Sequence, residues 1–530
     1  VLLTSSAMAV SVIRLKKYNV LVQDLYSIEN LARVDTLCLD KTGTITEGFM
    51  EVKKIIPLKK ESEKDIKEIL ASYVNALSDP SPTFKAVESF VSDIKYKDAF
   101  LETLSFSSVR KYSAVKFESG VYFLGSPENL YKGKIKSLSS YQEDYRVLLL
   151  AKGDSLKNIK DIKPIALILI QDKIKENADV TLNYFKEQGI DIKIISGDNP
   201  VTVSKIASRA GISDIRSVDM SQVSDEEIPD IIESFNILGR VKPDQKKKIV
   251  IALKNKGHFV GMTGDGVNDA LALKKSDVGF ALGSGSEVAK DASDIVILDN
   301  NISSICKAIL YGRTIFKSIR KFIIYQLTVN VCALILSIIG VLLGISTPIT
   351  IIQMLWLNMI MDTFAGLAFS YEPPLKEYLN EKPKTKDEVI LNKYMFNQII
   401  VNGTYCAIIC LLFLKLPIIR HFIRNSEGDK FLYTAYFALF IFMGICNSFA
   451  SRTHRLNNFA HILQNKVFLI INAFIFFAQI YIIYYGGNLF RTYGLTFKEL
   501  LFCLILSLTV FPIDYLRKYI LKKRNIKIGV

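Results

Sequence analysis

Four short pieces of this sequence have residue types and spacing suited to handling a phosphoryl group. Asp40 opens the run Asp40-Lys41-Thr42-Gly43-Thr44. It follows an apolar stretch at 34–39 that reads as a strand, which would present the carboxylate at a sheet edge beside a flexible glycine, the setting of a placed nucleophile. Downstream lie Ser196-Gly197-Asp198 at the end of another strand, Lys246 on a helix after Arg240-Val241-Lys242-Pro243, and Gly264-Asp265-Gly266-Val267-Asn268-Asp269. A phosphoryl group in transfer needs hydroxyl and backbone donors around its equatorial oxygens, a lysine to offset charge, and carboxylates to hold Mg2+. Singly, a Gly-Asp-Gly is a turn and a lone lysine a solvated charge. In this order and on strand ends, the four pieces supply each group that such chemistry requires.

The elements that must position them are legible in the apolar pattern. Strand-like runs at 34–39, 165–170, 192–195, 259–262 and 278–281 alternate with helical stretches, several ending directly in Asp, Gly or Ser. That alternation predicts a parallel sheet with helices on both faces and a site at the carboxyl ends of its strands. From about 50 to 160 the pattern changes to a Lys/Glu-rich helix and short alternating strands at 114–117 and 121–124, which suggests an inserted domain.

After Arg320 long apolar runs follow at 322–345, 349–370, 397–416, 431–450, 467–485 and 499–516. Each is near the roughly 20 residues that cross a bilayer. Lys376, Lys382, Lys384, Lys386 and Lys393, then Arg452, Arg455 and Lys466, then the basic tail at 517–530 fall on one side, so the positive-inside rule places the soluble part in the cytoplasm. The segment 1–17, apolar and ending in Arg14, Lys16 and Lys17, reads as the cytoplasmic end of a cut transmembrane helix and not as a signal peptide.

Composition agrees. A chain of 530 residues, 50% of them apolar, exceeds one ordinary core and points to a membrane protein. The net charge of +15 belongs beside the apolar spans, which argues against a nucleic-acid partner. Seven scattered cysteines without a Cys-x-x-Cys pair indicate neither a disulfide framework nor a zinc site.

These motifs resemble the haloacid-dehalogenase-like fold as elaborated in P-type ATPases. The resemblance implies an α/β haloacid-dehalogenase-like phosphorylation domain with a Rossmann-like parallel sheet at 25–50 and 161–310. It also implies an inserted α+β nucleotide-binding domain at 51–160, and an all-α six-helix transmembrane domain at 322–516. By the same resemblance Asp40 accepts phosphate from ATP, and Lys41, Thr42, Ser196, Gly197, Asp198 and Lys246 surround the transferred group. Asp40, the Thr42 carbonyl and Asp265 hold Mg2+, and Asn268 and Asp269 complete the site. Phosphatases of the wider fold carry a second aspartate two residues after the nucleophile; Thr42 stands there, which favours a lasting aspartyl phosphate.

By the resemblance Phe106 of the inserted domain would stack on adenine, with Lys111 near the ring or the phosphates, Gly125 beside the nucleotide and Arg146 reaching the phosphate chain. Outside that domain Asp172 lies near the ribose and Arg240 is a further nucleotide-binding candidate. Leu124-Gly125-Ser126-Pro127-Glu128 resembles the family's Lys-Gly-Ala-Pro-Glu, with Leu124 replacing the lysine.

Polar residues inside spans are functional candidates. Asn358 and Asp362 are four apart and share a helix face, and with Asn330 they form a hard-oxygen partial site suited to Ca2+ and less well to Mn2+ or Mg2+. The run from Gly312 through Gln326-Leu327-Thr328-Val329-Asn330 to Glu372-Pro373-Pro374 resembles plasma-membrane calcium pumps. Ala333 stands where two-site pumps carry a further acid, which implies one ion per cycle. Val20-Leu21-Val22-Gln23-Asp24-Leu25 is similar to other bacterial cation ATPases. The resemblance also leads one to expect an upstream actuator domain and first helices before Val1, and a plasma-membrane location. A pump for Mn2+, Mg2+ or a monovalent ion, a membrane-tethered phosphatase and an ATP-binding regulatory protein are the competing readings.

Overall fold

The computed structural model describes residues 2–524 apart from 60, 97–98, 108, 136–137, 157–161, 345–348, 379–380, 386–387 and 426, and leaves aside the side chains of 2–7, 143, 361–362, 376 and 427. The chain divides into two compact units, Thr36–Ser293 with Ile297–Ser303, and Val1–Asp35 with Asp294–Val296 and Ser304–Val530.

The first unit is built on two sheets. One is parallel, in the order Val278–Leu282, Val260–Gly264, Thr36–Asp40, Asp191–Ile195, Ile237–Gly239, Ser217–Asp219. Its central strand Thr36–Asp40 is wholly buried, as a parallel strand covered on both faces should be. The helix Pro243–Asn255 begins with proline at its first turn and packs Ile249, Val250 and Leu253 against Cys38, Leu238, Val260 and Met262. Register pairs Asp40 with Ile195 and Cys38 with Met262, so the strand that carries Asp40 ends level with Ser196 and Gly264.

The other sheet is antiparallel, in the order Thr46–Pro57, Lys163–Ile174, Arg146–Gly153, Gly120–Gly125, Tyr112–Phe117, Phe100–Ser107. Helices Glu63–Ala76, with a Ser62–Asp65 capping box, and Pro82–Phe90 cover one face through Ile66, Leu70, Phe84 and Val87. Two expectations change here. The run 165–170 is a strand of this antiparallel sheet and not of the parallel one. Ile165, Ile168 and Ile170 face one core and Leu167 and Leu169 the other, which gives the unbroken apolar run of a parallel strand. The sheet also reaches past 51–160 at both ends, because its first and last strands pair from Thr46 with Ile174 to Pro57 with Ala166.

Among the described residues of the second unit six helices are long and apolar enough to cross a membrane: Ile302–Leu342, Ile351–Ser370, Lys393–Lys415, Lys430–Arg452, Lys466–Tyr485 and Phe497–Lys523. The first starts well before 322 and the last runs past 516. Segment 1–35 falls in the same compact unit as these helices, whereas the phosphorylation domain was expected to start at 25. Buried charges are paired: Glu372 accepts from Arg452 at 3.0 Å and faces Lys321 at 3.7 Å, while Asp514 holds Arg517 at 2.9 Å and Lys518 at 2.7 Å. Lys386 and the tail at 525–530 lie outside the described residues.

Candidate active site

Asp40 ends its strand and the chain then turns through Lys41–Ile45, where Gly43 takes φ +69°. A side chain on Gly43 would put its Cβ 2.9 Å from Asp265 Oδ2, so both the backbone angle and the close approach require glycine. Thr263 ties the pieces together: its hydroxyl accepts from the Asp40 N–H at 2.9 Å and lies 3.3 Å from the Thr44 hydroxyl.

Lys246, projecting from Pro243–Asn255, donates to Asp40 Oδ1 at 2.8 Å and to Asp269 Oδ1 at 2.6 Å. The other Asp269 oxygen accepts from the Gly266 N–H at 3.1 Å, which locks the loop after Val260–Gly264. Asp40, Asp265 and Asp269 each bring a carboxylate oxygen within 4.8 Å of the others. Burial pushes Asp40 up to about 6, with Lys246 opposing and Asp269 adding to the rise. Asp265 is also raised, by burial and by the Asp269 charge. Burial pulls Lys246 down, but Asp40 and Asp269 outweigh it and hold the lysine above its ordinary value. Three carboxylates around one ammonium leave excess negative charge, and the donor set is all hard oxygen; that fits a small divalent cation such as Mg2+.

Lys41 points elsewhere, to Asp198 at 2.7 Å and Asp172 at 3.3 Å. Burial lowers its pKa, and these two carboxylates more than reverse the effect. Ser196 is buried and its hydroxyl accepts from the Asp198 N–H at 3.2 Å, whereas Gly197 lies open to solvent. Thr42 and Asn268 are exposed.

Two cavities of this unit are lined by further predicted site residues. The larger, 600 Å³, is lined by Phe106, Lys111, Gly125 and Arg146, with Leu124 and Tyr145 also in its wall. Lys111 is held at φ +60° between Phe100–Ser107 and Tyr112–Phe117, and its carbonyl accepts from the Ser126 N–H at 3.0 Å. The smaller, 350 Å³, is lined by Lys41, Arg146, Asp172 and Asp198 among others. Arg240 lines neither; it sits at φ +52° and pairs with Asp219 at 2.8 Å.

Asn330 and Asn358 are exposed on helices Ile302–Leu342 and Ile351–Met359. The Asp362 side chain lies outside the described residues. The helix widens into a π turn at Ile360–Ala365, a distortion frequent at functional sites.

Sequence reasoning left Thr263 without a role, although it stands next to Gly264 in the same run. It also passed over Lys175, whose ammonium reaches the Gly43 and Asn300 carbonyls. That lysine closes the run Asp172-Lys173-Ile174-Lys175, where only the aspartate was given a role.

A parallel sheet with carboxylates gathered around Lys246 at its strand ends stands in one chain with six helices that, among the described residues, are long and apolar enough to cross a membrane. Residues 34–277 match the haloacid dehalogenase-like hydrolase family, and 346–520 match the family described as cation transporting ATPase, C-terminus. The chain belongs to the P-type cation-transporting ATPases. It is 39% identical to "Probable cation-transporting ATPase exp7" of Streptococcus pneumoniae over 71% of this chain and 50% of that protein. With "Calcium-transporting ATPase CtpE" of Mycobacterium bovis it shares 37% identity over 66% of this chain and 45% of the relative. With "Calcium-transporting ATPase PAT1" of Dictyostelium discoideum it shares 28% over 98% and 56%. The chain thus spans about half the length of the curated relatives it matches. A solved zinc-transporting PIB-type ATPase shares the fold at TM-score 0.56 and 21% identity, over 69% of this chain and 54% of that one.

Proposed function

We propose that this chain carries the phosphorylation, nucleotide-binding and carboxyl-terminal membrane parts of an ATP-driven cation pump of the plasma membrane, with Asp40 as the phosphorylated residue. The observation that carries this reading is Lys246 bridging Asp40 and Asp269, with Asp265 beside them. In this reading an Asp40 carboxylate oxygen attacks the γ-phosphorus of ATP in line, an acyl O–P bond forms, and the bond to ADP breaks with its electron pair leaving on ADP. Lys246 offsets charge on the carboxylate and the transferred group, and the exposed Gly197 backbone N–H is open to donate to its oxygens. Mg2+ held by Asp40, the Thr42 carbonyl and Asp265 would supply charge neutralisation there.

Phe106, Lys111, Gly125 and Arg146 share one cavity large enough for a nucleoside, which supports their assignment to the nucleotide. Asp172, paired with Lys41, supports a role at the join between nucleotide and nucleophile. Arg240 and Asn268 remain part of the proposal only through the motifs they belong to.

Ca2+ is the cation favoured, one per cycle, with Asn330, Asn358 and Asp362 as ligands. Support comes from their hard-oxygen chemistry, from the π turn at Ile360–Ala365 and from relatives named for calcium transport. The decisive experiment is acid-stable, hydroxylamine-sensitive labelling from γ-labelled ATP. Label is expected in the full-length protein, stimulated by Ca2+, and lost in Asp40→Asn. A label surviving that change sinks the aspartyl-phosphate reading; an unchanged Ca2+ response in Asp362→Ala sinks the ion assignment.

A further inference from the structure

The smaller cavity of the first unit contains cations that none of the motifs explains. It shares Gln142, Tyr145 and Arg146 with the 600 Å³ cavity, and Lys41, next in sequence to the nucleophile, lies in its wall. A nucleotide whose base occupies the larger cavity and whose terminal phosphate reaches Asp40 must run its phosphate chain through the smaller one. Lys41 is already held by two carboxylates there. Two further cations, Lys205 and Arg209, line the same cavity. They are four residues apart on the helix Pro200–Arg209, hence on one face.

Lys205 Nζ now pairs with Asp144 Oδ1 at 3.1 Å, with the two side chains 33% and 65% exposed. Asp144 ends the short helix Leu138–Asp144, two residues before Arg146. An ion pair this wet is weak. A charge-assisted bond from ammonium to a phosphate oxygen is stronger. Arg209 Nη2 lies 3.5 Å from the Asp172 carbonyl, a long contact that leaves its guanidinium fork a poor fit to its present partner.

We propose that Lys205 and Arg209 form a cationic clamp on the β-phosphate of the bound nucleoside triphosphate, with Lys205 exchanging Asp144 for phosphate oxygen as the nucleotide enters. The clamp rests on the nucleotide reading of the two cavities. It adds a pair of phosphate-binding side chains outside the four motifs, and it makes the Lys205–Asp144 pair the contact that nucleotide entry breaks.

The test is binding of ATP, ADP and AMP to the purified full-length protein by calorimetry, for the wild type, Lys205→Met, Lys205→Arg and Arg209→Gln. Lys205→Met is expected to weaken ATP and ADP about tenfold, the order expected for losing a hydrogen bond to a charged group, and AMP much less. Lys205→Arg should restore most of the loss, and Arg209→Gln gives the same comparison if Lys205→Met does not fold. Wild-type affinity for ATP with no change in the variants, or an equal loss for ATP and AMP, overturns the clamp alone. A wild type without affinity for ATP overturns the nucleotide reading, and the clamp with it.

Discussion

Lys246 Nζ lies 2.8 Å from Asp40 Oδ1, although 206 residues separate them. The same ammonium serves Asp269, so removing it strands two buried carboxylates. Lys246→Met is therefore expected to destabilise the first unit by about 3 kcal/mol and to reduce phosphoenzyme labelling at least a hundredfold. Thermal unfolding and labelling on the same preparation check both; a stable variant that labels normally would remove Lys246 from the site.

The pH dependence of labelling follows from Asp40. Its carboxyl is lifted by burial to about 6, and only the ionised form attacks. Labelling at limiting Mg2+ should rise with pH through about 6, and saturating Mg2+, which favours the carboxylate, should move the midpoint lower. For stability the sign is opposite. The native state holds this proton more tightly than the unfolded chain, so Asp40's contribution is full below its ordinary value of 3.8 and is lost as pH rises through about 6. Superimposable labelling profiles at low and high Mg2+ would contradict the assignment.

Gly43→Ala tests the turn between nucleophile and metal side. With φ at +69° and the new Cβ 2.9 Å from Asp265 Oδ2 and 3.0 Å from Leu282 Cδ1, the substitution strains the backbone and displaces a carboxylate. A cost of about 1–3 kcal/mol is expected, with a higher Mg2+ requirement for labelling. A Mg2+ titration that matches the wild type would show that the turn does not set metal affinity.

In the membrane unit, Glu372→Gln leaves Arg452 and Lys321 buried without their shared carboxylate. A loss of about 3–5 kcal/mol is expected, read as a lowered unfolding temperature in detergent. Glu372→Asp should recover part of it, and an unaltered melt for Glu372→Gln would mean that the pair contributes little.

The gathering of Asp40, Asp265 and Asp269 was legible because these residues come in contiguous runs at strand ends, where residue type and spacing carry the signal. Phe106, Lys111, Gly125 and Arg146 come from separate segments of the chain yet meet around one cavity, and only the motif resemblance pointed to them. The strand at 165–170 shows the limit of periodicity. A central antiparallel strand covered on both faces has the same apolar run as a parallel one, so the pattern cannot say which sheet it joins. The placing of Arg240 was illegible for a different reason: a left-handed backbone and an Asp219 partner 21 residues away leave no local mark. Lys205 and Arg209 belong to none of the motifs, and only the cavity that they line marks them.

The pairing of Thr46–Pro57 with Lys163–Ile174 means that the antiparallel sheet leaves the chain and returns to it at one place. Everything between Pro57 and Lys163 is thus a cassette on a two-stranded handle. A short turn joining those strands would excise it without cutting a single strand of the parallel sheet, and a foreign domain with closely spaced termini would be accepted at the same joint. Asp40's neighbourhood would then be accessible as a small, separately engineerable scaffold.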